Sequence, residues 1–235
     1  MLSFSEPEKL FYLDIETAPQ YAHFDDLSDA WKKLWARKAE TLKLEEPPEI
    51  SYQKAGIYAE FGRIVCVCIG RIQFQNKIPV LKIRTFKDSD EVILLKKLAQ
   101  WLGRNMTSDN KLCAHNGKEF DFPWMARRMM INRIQLPNCL QLAGKKPWEV
   151  PHLDTLDMWK FGDYKHYTSL NLLAEAFGIP SPKANMDGQM VGEKYWKENA
   201  VEEIVHYCCE DVKTLAELSL IWASKPPLQT VEIIA

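Results

Sequence analysis

The sequence predicts an α/β protein in which helices pack on a mixed β-sheet. Three observations carry this. The chain opens with an apolar segment, Leu10 to Ile15, and then a continuous apolar run, Ile64-Val65-Cys66-Val67-Cys68-Ile69, between Gly62 and Gly70. At Asp90 the hydrophobic period changes from that of strands to that of helices. From there short strand candidates alternate with helical stripes. Strands first, then alternation with helices, indicates a mixed sheet with helices packed on it.

Each element has a local cause. Leu10 to Ile15, bounded by Pro7 and Pro19, reads as a short strand. Asp26 to Lys43 is charged with periodic Leu27, Trp31, Leu34 and Trp35, a helix that Glu45-Glu46-Pro47-Pro48 ends. The Gly62 to Gly70 run is typical of a central strand buried on both faces. Val80 to Phe86 is a second strand, paired with it as a hairpin across Asn76-Lys77. Asp90 to Arg104 sets Val92, Leu95, Leu98, Ala99 and Leu102 on one helical face. Leu112-Cys113-Ala114 is a short strand, and Phe122 to Ile134 a helix with Pro123 in its first turn. Leu153 to Leu156 reads as a last short strand. Leu170, Leu173, Ala174 and Phe177 form a stripe capped by Ser169 and ended by Gly178 and Pro180. Val201, Ile204, Val205, Cys208, Val212 and Leu215 form another, on a long helix running to about Ser224.

Composition narrows the function classes. The 235 residues, 46% hydrophobic and 26% charged, suit one large domain that needs no metal or disulfide staple. The chain is too short for a polymerase. With 30 Lys+Arg against 32 Asp+Glu the formal charge is −2, which argues against attachment to nucleic acid by bulk basicity but not against a local basic groove. No segment is long and apolar enough to span a bilayer. The N-terminus has neither a basic n-region nor an apolar h-region, so no secretory signal is expected. The six cysteines, 66, 68, 113, 139, 208 and 209, show no CxxC pair and no zinc spacing, and are read as reduced, mostly buried thiols of a cytoplasmic protein. The sequence has no GxxxxGK[ST] and no GxGxxG.

Three motifs carry chemistry. In Leu13-Asp14-Ile15-Glu16-Thr17 the strand period puts Phe11, Leu13 and Ile15 on one face and Asp14 and Glu16 on the other. Two adjacent carboxylates repel, and a cation resolves the conflict; alone, the pair could also be an exposed acidic strand end. His115-Asn116-Gly117-Lys118-Glu119-Phe120-Asp121 joins a strand to a helix, and Asp121 alone could be a helix cap. Tyr207 and Asp211 share a face of the last helix at i, i+4.

In this order the motifs resemble those of the DEDD 3′–5′ exonucleases, in the tyrosine-bearing subclass. The resemblance is closest to the proofreading exonuclease domain of family B DNA polymerases, here without a polymerase. Asp14-Ile15-Glu16-Thr17, His115-Asn116-Gly117, and Phe120-Asp121 followed by Pro123 and Arg128 sharpen it. It implies a ribonuclease-H-like fold, a five-stranded mixed sheet flanked by helices, as a single domain over residues 1–235 with a helical insertion around 21–54. It implies metal-dependent removal of nucleoside 5′-monophosphates from DNA 3′ ends, single-stranded or frayed. Phosphodiester hydrolysis needs an activated hydroxide and charge neutralisation, which two divalent ions about 3.5–4 Å apart supply. Mg²⁺ or Mn²⁺ prefers carboxylate oxygen. By the resemblance, Asp14 bridges both ions, Glu16 and Asp211 complete the nucleophile-side ion, and Asp121 holds the other. A phenol with an ordinary pKa near 10 is a poor base, so Tyr207 orients the attacking water.

Thr17, Asn116, Phe120, Trp124 and Arg128 are the candidate substrate-binding residues, Trp124 by stacking on a base and Arg128 by facing phosphate. Asp154, Asp157, His115 and His206 read as structural, and Lys118, Arg127 and Arg133 as a solvated helix face. The tail from Pro226 to Ala235 could add an edge strand, dock on a partner or stay disordered. Two rival functions remain open: a 3′–5′ exoribonuclease resembling ribonuclease D relatives, and a non-catalytic nucleic-acid-binding or scaffold protein on the same fold. No residue reports on the 2′-OH or on a polymerase or repair partner.

Overall fold

The structure, a computed structural model, describes residues 6–163, 165, 167–180 and 188–234. The N-terminal reading for a secretory signal lies largely outside them. Six strands form one sheet: β1 Leu10–Pro19, β2 Gly62–Gln75, β3 Ile78–Lys87, β4 Lys111–Ala114, β5 Leu153–Asp154 and β6 Thr230–Ile234. Their order is β5-β4-β1-β2-β3-β6. Strand β2 alone is antiparallel to its neighbours; the other pairings are parallel.

Period-2 alternation on β1 divides the core. Phe11, Leu13 and Ile15 pack on one face with α3 (Glu91–Asn105) and α4 (Asp121–Ile131). Leu10, Tyr12 and Ala18 pack on the other under α8 (Val201–Trp222). The Tyr12 hydroxyl shares a 2.5 Å hydrogen bond with Ser219 Oγ of α8, which registers that helix against β1. The β2–β3 hairpin turns at Asn76 and Lys77, both with positive φ (51° and 68°), the twist that a two-residue hairpin needs. Asp90 caps α3 by accepting from the Val92 N–H at 2.8 Å, and Ser169 caps α6 (Leu170–Ala176) by accepting from the Leu172 N–H.

Three expectations are corrected. The sheet has six strands rather than five, because the tail adds β6 parallel to β3. All five β6 residues are exposed, so main-chain pairing and not burial holds that strand. The strand expected over Leu153 to Leu156 stops at Asp154, whose carboxylate accepts from the Leu156 and Asp157 N–H groups and starts α5 (Thr155–Trp159). Helix α4 ends at Ile131 rather than Ile134, where Arg133 turns left-handed (φ 57°). A short α7 (Val191–Trp196) carries no stripe that the sequence revealed.

The 21–54 segment is helical, with α1 (Asp29–Thr41), α2 (Pro48–Ser51) and a 3-10 turn over Tyr52–Ile57. It holds a satellite core of its own. Trp35 is fully buried edge-on to Phe61 and Tyr52, and its Nε1 donates to the Pro48 carbonyl. Among the described residues no helix is long and apolar enough to cross a membrane.

Candidate active site

Strand β1 and helix α8 bring the first acids together. Asp14 and Glu16 point from β1 to the α8 face, where Asp211 descends from the helix. One carboxylate oxygen from each lies within 4.8 Å of the other two. The β1–β2 register shifts between Glu16 and Thr17, a bulge that re-aims the strand immediately after the second acid. Tyr207, half-buried, sits one turn before Asp211 on the same side of α8.

The strand–helix loop delivers the fourth acid. Asn116 takes a left-handed conformation (φ 62°), which asparagine tolerates better than most residues. A Cβ on Gly117 would stand 2.5 Å from the Ala114 Cβ and 2.9 Å from the Phe122 ring, so only glycine fits there. Asp154 holds this loop from below: its buried carboxylate accepts the Asn116 N–H at 2.9 Å and the Lys118 N–H at 3.0 Å while also capping α5. His115 bridges Thr155 Oγ1 and the Thr168 carbonyl. Lys118 pairs with Asp157 at 3.1 Å. Asp154, Asp157 and His115 are structural, as read from sequence, and Asp154 also shapes the loop that leads to Asp121; Lys118, expected on a solvated helix face, is instead a half-buried, ion-paired member of that loop. The Asp-Thr-Leu-Asp string, a helix-start pattern, was the available signal.

Asp121 opens α4 and is buried beside Asp14, outside the three-oxygen cluster. Burial first, and then the Asp14 charge, pushes its carboxyl well above the ordinary carboxylate range; the N–H groups of Asp121 and Ile15 pull it partly back. A carboxyl raised in the folded state favours folding below its unfolded pKa of about 3.9 and loses that contribution as pH climbs through the folded value. The metal-free protein is therefore expected to lose stability as pH rises from about 4 toward that raised value. Asp121→Asn removes the charge and should be more stable than wild type by about 1–3 kcal/mol at alkaline pH, with no gain under acid conditions. Denaturant unfolding with a chelator present at both pH values checks this. Parallel pH dependence in the two proteins would exclude the account.

The expected substrate-binding residues divide. Thr17, Asn116 and Phe120 are half-buried, Thr17 next to Glu16 and Phe120 next to Asp121 along the chain; the Thr17 hydroxyl donates to the Gly56 carbonyl at 2.7 Å and ties the 3-10 turn over Tyr52–Ile57 to the end of β1. Trp124 and Arg128 do not line the site. Trp124 is 1% exposed and donates its Nε1 to the Ile57 carbonyl, so neither ring face is open to a base. Arg128 is 4% exposed, and its guanidinium binds Glu91, the Ala59 carbonyl and Gln20. Both readings are corrected for the same reason: these side chains lie on the core side of α4. Arg127 and Arg133 are exposed, as a solvated face requires.

The acid set tests well against hard cations. Its converging donors are all carboxylate oxygens, the ligands that Mg²⁺ and Mn²⁺ take, with no imidazole or thiol among them.

Fold, acids and the order of their elements define a DEDD-type exonuclease domain. The chain belongs to the family of predicted 3′–5′ exonucleases related to the exonuclease domain of PolB, whose family model matches residues 57–216. That span includes Asp121, Tyr207 and Asp211, and it begins after Asp14 and Glu16. No curated protein matches the chain. Among solved structures it is similar to the family B DNA polymerase from the hyperthermophilic archaeon Pyrobaculum calidifontis, with a TM-score of 0.54 and 14% identity, covering 92% of this chain and 24% of the polymerase. It is also similar to product-bound exonuclease I, with a TM-score of 0.42 and 10% identity, covering 83% of this chain and 45% of that one. At 14% identity the likeness to the polymerase concerns the fold.

Proposed function

We propose that this chain is a metal-dependent 3′–5′ exonuclease that releases nucleoside 5′-monophosphates from single-stranded or frayed DNA 3′ ends. The observation that carries the reading is the convergence of Asp14, Glu16 and Asp211, with Asp121 alongside, in a member of a PolB-related exonuclease family. Asp14, Glu16 and Asp211 would hold one divalent ion, and Asp14 with Asp121 a second. Bound Mg²⁺ or Mn²⁺ supplies acidification of the attacking water and neutralisation of phosphoryl charge.

The chain's own groups do the rest. Tyr207 donates a hydrogen bond that orients the water rather than removing its proton, since a phenol is protonated at neutral pH. Thr17, Asn116 and Phe120 border the terminal nucleotide. A groove of about 210 Å³ beside the motif loop has Asn116 in its lining, with Lys118, Lys145 and Lys160 balanced by Glu119, Asp154 and Asp157. The six thiols, free of disulfide, support a cytoplasmic setting.

Matched 5′-labelled DNA and RNA oligomers test the proposal. Stepwise shortening of DNA in Mn²⁺ or Mg²⁺, with nucleoside 5′-monophosphate as product, is expected. Faster shortening of RNA would make the chain an exoribonuclease. No shortening of either, with Mn²⁺ absent in calorimetry, would leave a non-catalytic binding protein.

A further inference from the structure

Four of the six cysteines meet on the sheet face that carries the acids. Cys68 and Cys66 of β2 stand directly across from Asp14 and Glu16 of β1, and paired residues of antiparallel strands present their side chains to the same face. Helix α8 crosses that face with Cys208 and Cys209 just before Asp211. All four are buried. The sulfurs of Cys66, Cys68 and Cys208 lie within 4.8 Å of one another, and the Cys209 sulfur is 3.5 Å from that of Cys68.

A buried cysteine usually serves as a small hydrophobe, and its sulfur points wherever packing allows. Here the thiols face one another and two main-chain carbonyls, Val205 from Cys68 at 3.8 Å and Asp14 from Cys208 at 3.3 Å. Four sulfurs bonded at about 2.3 Å around one tetrahedral ion stand about 3.8 Å apart. The Cys209 and Cys68 sulfurs already stand 3.5 Å apart, and those of Cys66, Cys68 and Cys208, within 4.8 Å of one another, need to close by about 1 Å at most. Thiolates favour thiophilic ions, while the adjoining carboxylates favour hard ones, so the two donor sets differ in the metal each prefers.

We propose that Cys66, Cys68 and Cys208, with Cys209 as a fourth donor, form a binding site for a thiophilic d¹⁰ metal ion, zinc(II) or copper(I), next to the carboxylate site and distinct from it. Each donor thiol releases its proton to solvent as its sulfur bonds the ion, so binding is favoured as pH rises. The bound ion ties α8 to β2, and thereby holds Asp211 and Tyr207 in register with Asp14 and Glu16. The site stands whether or not the chain is a nuclease.

Cobalt(II) serves as the spectroscopic probe for zinc. The full chain is kept under reductant and its six thiols are verified after unfolding. A sulfur-to-cobalt charge-transfer band that saturates at one equivalent and is displaced by zinc(II) is expected; cobalt on the carboxylates produces no such band. Cys66→Ala and Cys208→Ala should weaken this binding by about 100-fold or more. Cys209→Ala should keep the band with an altered visible spectrum, and Cys139→Ala, outside the cluster, should change nothing. Copper(I) retained against a chromophoric chelator that strips zinc would identify copper as the ion. X-ray absorption on the loaded wild type counts ligands without any substitution: three or four sulfurs support the site. Absence of the charge-transfer band together with no retained copper(I), or a first shell of oxygen and nitrogen only, would overturn it.

Discussion

Asp14→Ala is expected to reduce oligonucleotide shortening by about 10³-fold or more and to abolish the high-affinity phase of Mn²⁺ binding. Asp14 is the acid with the most to lose. Its carboxylate belongs to the cluster with Glu16 and Asp211, and its charge also reaches Asp121. Removing it therefore takes a donor from both proposed ion positions at once. Asp211→Asn keeps the side-chain volume and should cost nearly as much, because an amide donates one anionic oxygen fewer to the ion. Tyr207→Phe should cost less, about 10²-fold, since it removes only the hydrogen bond that orients water. The effect on folding runs the other way. Without metal the acids repel, so Asp14→Ala should unfold at the same denaturant concentration as wild type or a higher one. Single-turnover kinetics, calorimetry and denaturant unfolding on one preparation separate these effects. Wild-type rates in Asp14→Ala would remove the carboxylate cluster from the mechanism.

Arg128→Met is expected to destabilise the protein by about 3–5 kcal/mol, the cost of leaving one member of a buried ion pair without the other. Arg128 Nε and Nη2 reach the two carboxylate oxygens of Glu91 at 3.0 and 2.5 Å, and its remaining donors bind the Ala59 carbonyl and Gln20 Oε1. Glu91 in turn accepts the Ile64 N–H at 2.7 Å. The pair thus joins α4, the start of α3, the residue after β1 and the start of β2. Its loss loosens the helix whose first residue is Asp121. Adding Glu91→Gln to Arg128→Met should recover much of the stability, because the buried charge disappears while an acceptor for Ile64 remains. The distinguishing measurement is a pair of numbers: unfolding free energy and KM for oligonucleotide. A stability loss with KM unchanged is expected. A raised KM with stability intact would restore Arg128 to phosphate binding.

The acid pairs of the candidate site are legible in the sequence because their grouping is local. Asp14 and Glu16 share a face because a strand repeats every two residues, and Tyr207 and Asp211 share one because a helix turn spans four. Any fold that keeps those elements keeps those pairs. The placement of Trp124 and Arg128 is not legible in the sequence, because their orientation depends on partners distant along the chain: Ile57 for the tryptophan, Glu91, Ala59 and Gln20 for the arginine. The face that an amphipathic helix buries is readable. Which of its polar residues find buried partners is not.

By itself the sequence determined most of the element types, the helix start at Thr155 and α7 excepted, together with the pairing of the acids and the absence of any CxxC spacing. Tertiary structure alone decided that the tail becomes a sixth strand, that Asp154 supports the motif loop, and that four cysteines from two distant segments converge. The physical reason is register. Antiparallel pairing sets Cys68 opposite Asp14 and Cys66 opposite Glu16, and α8 then lays its own two thiols and its own acid across the same pair of strands. Spacing along the chain records none of this, because register is set by how the two faces of the sheet are buried.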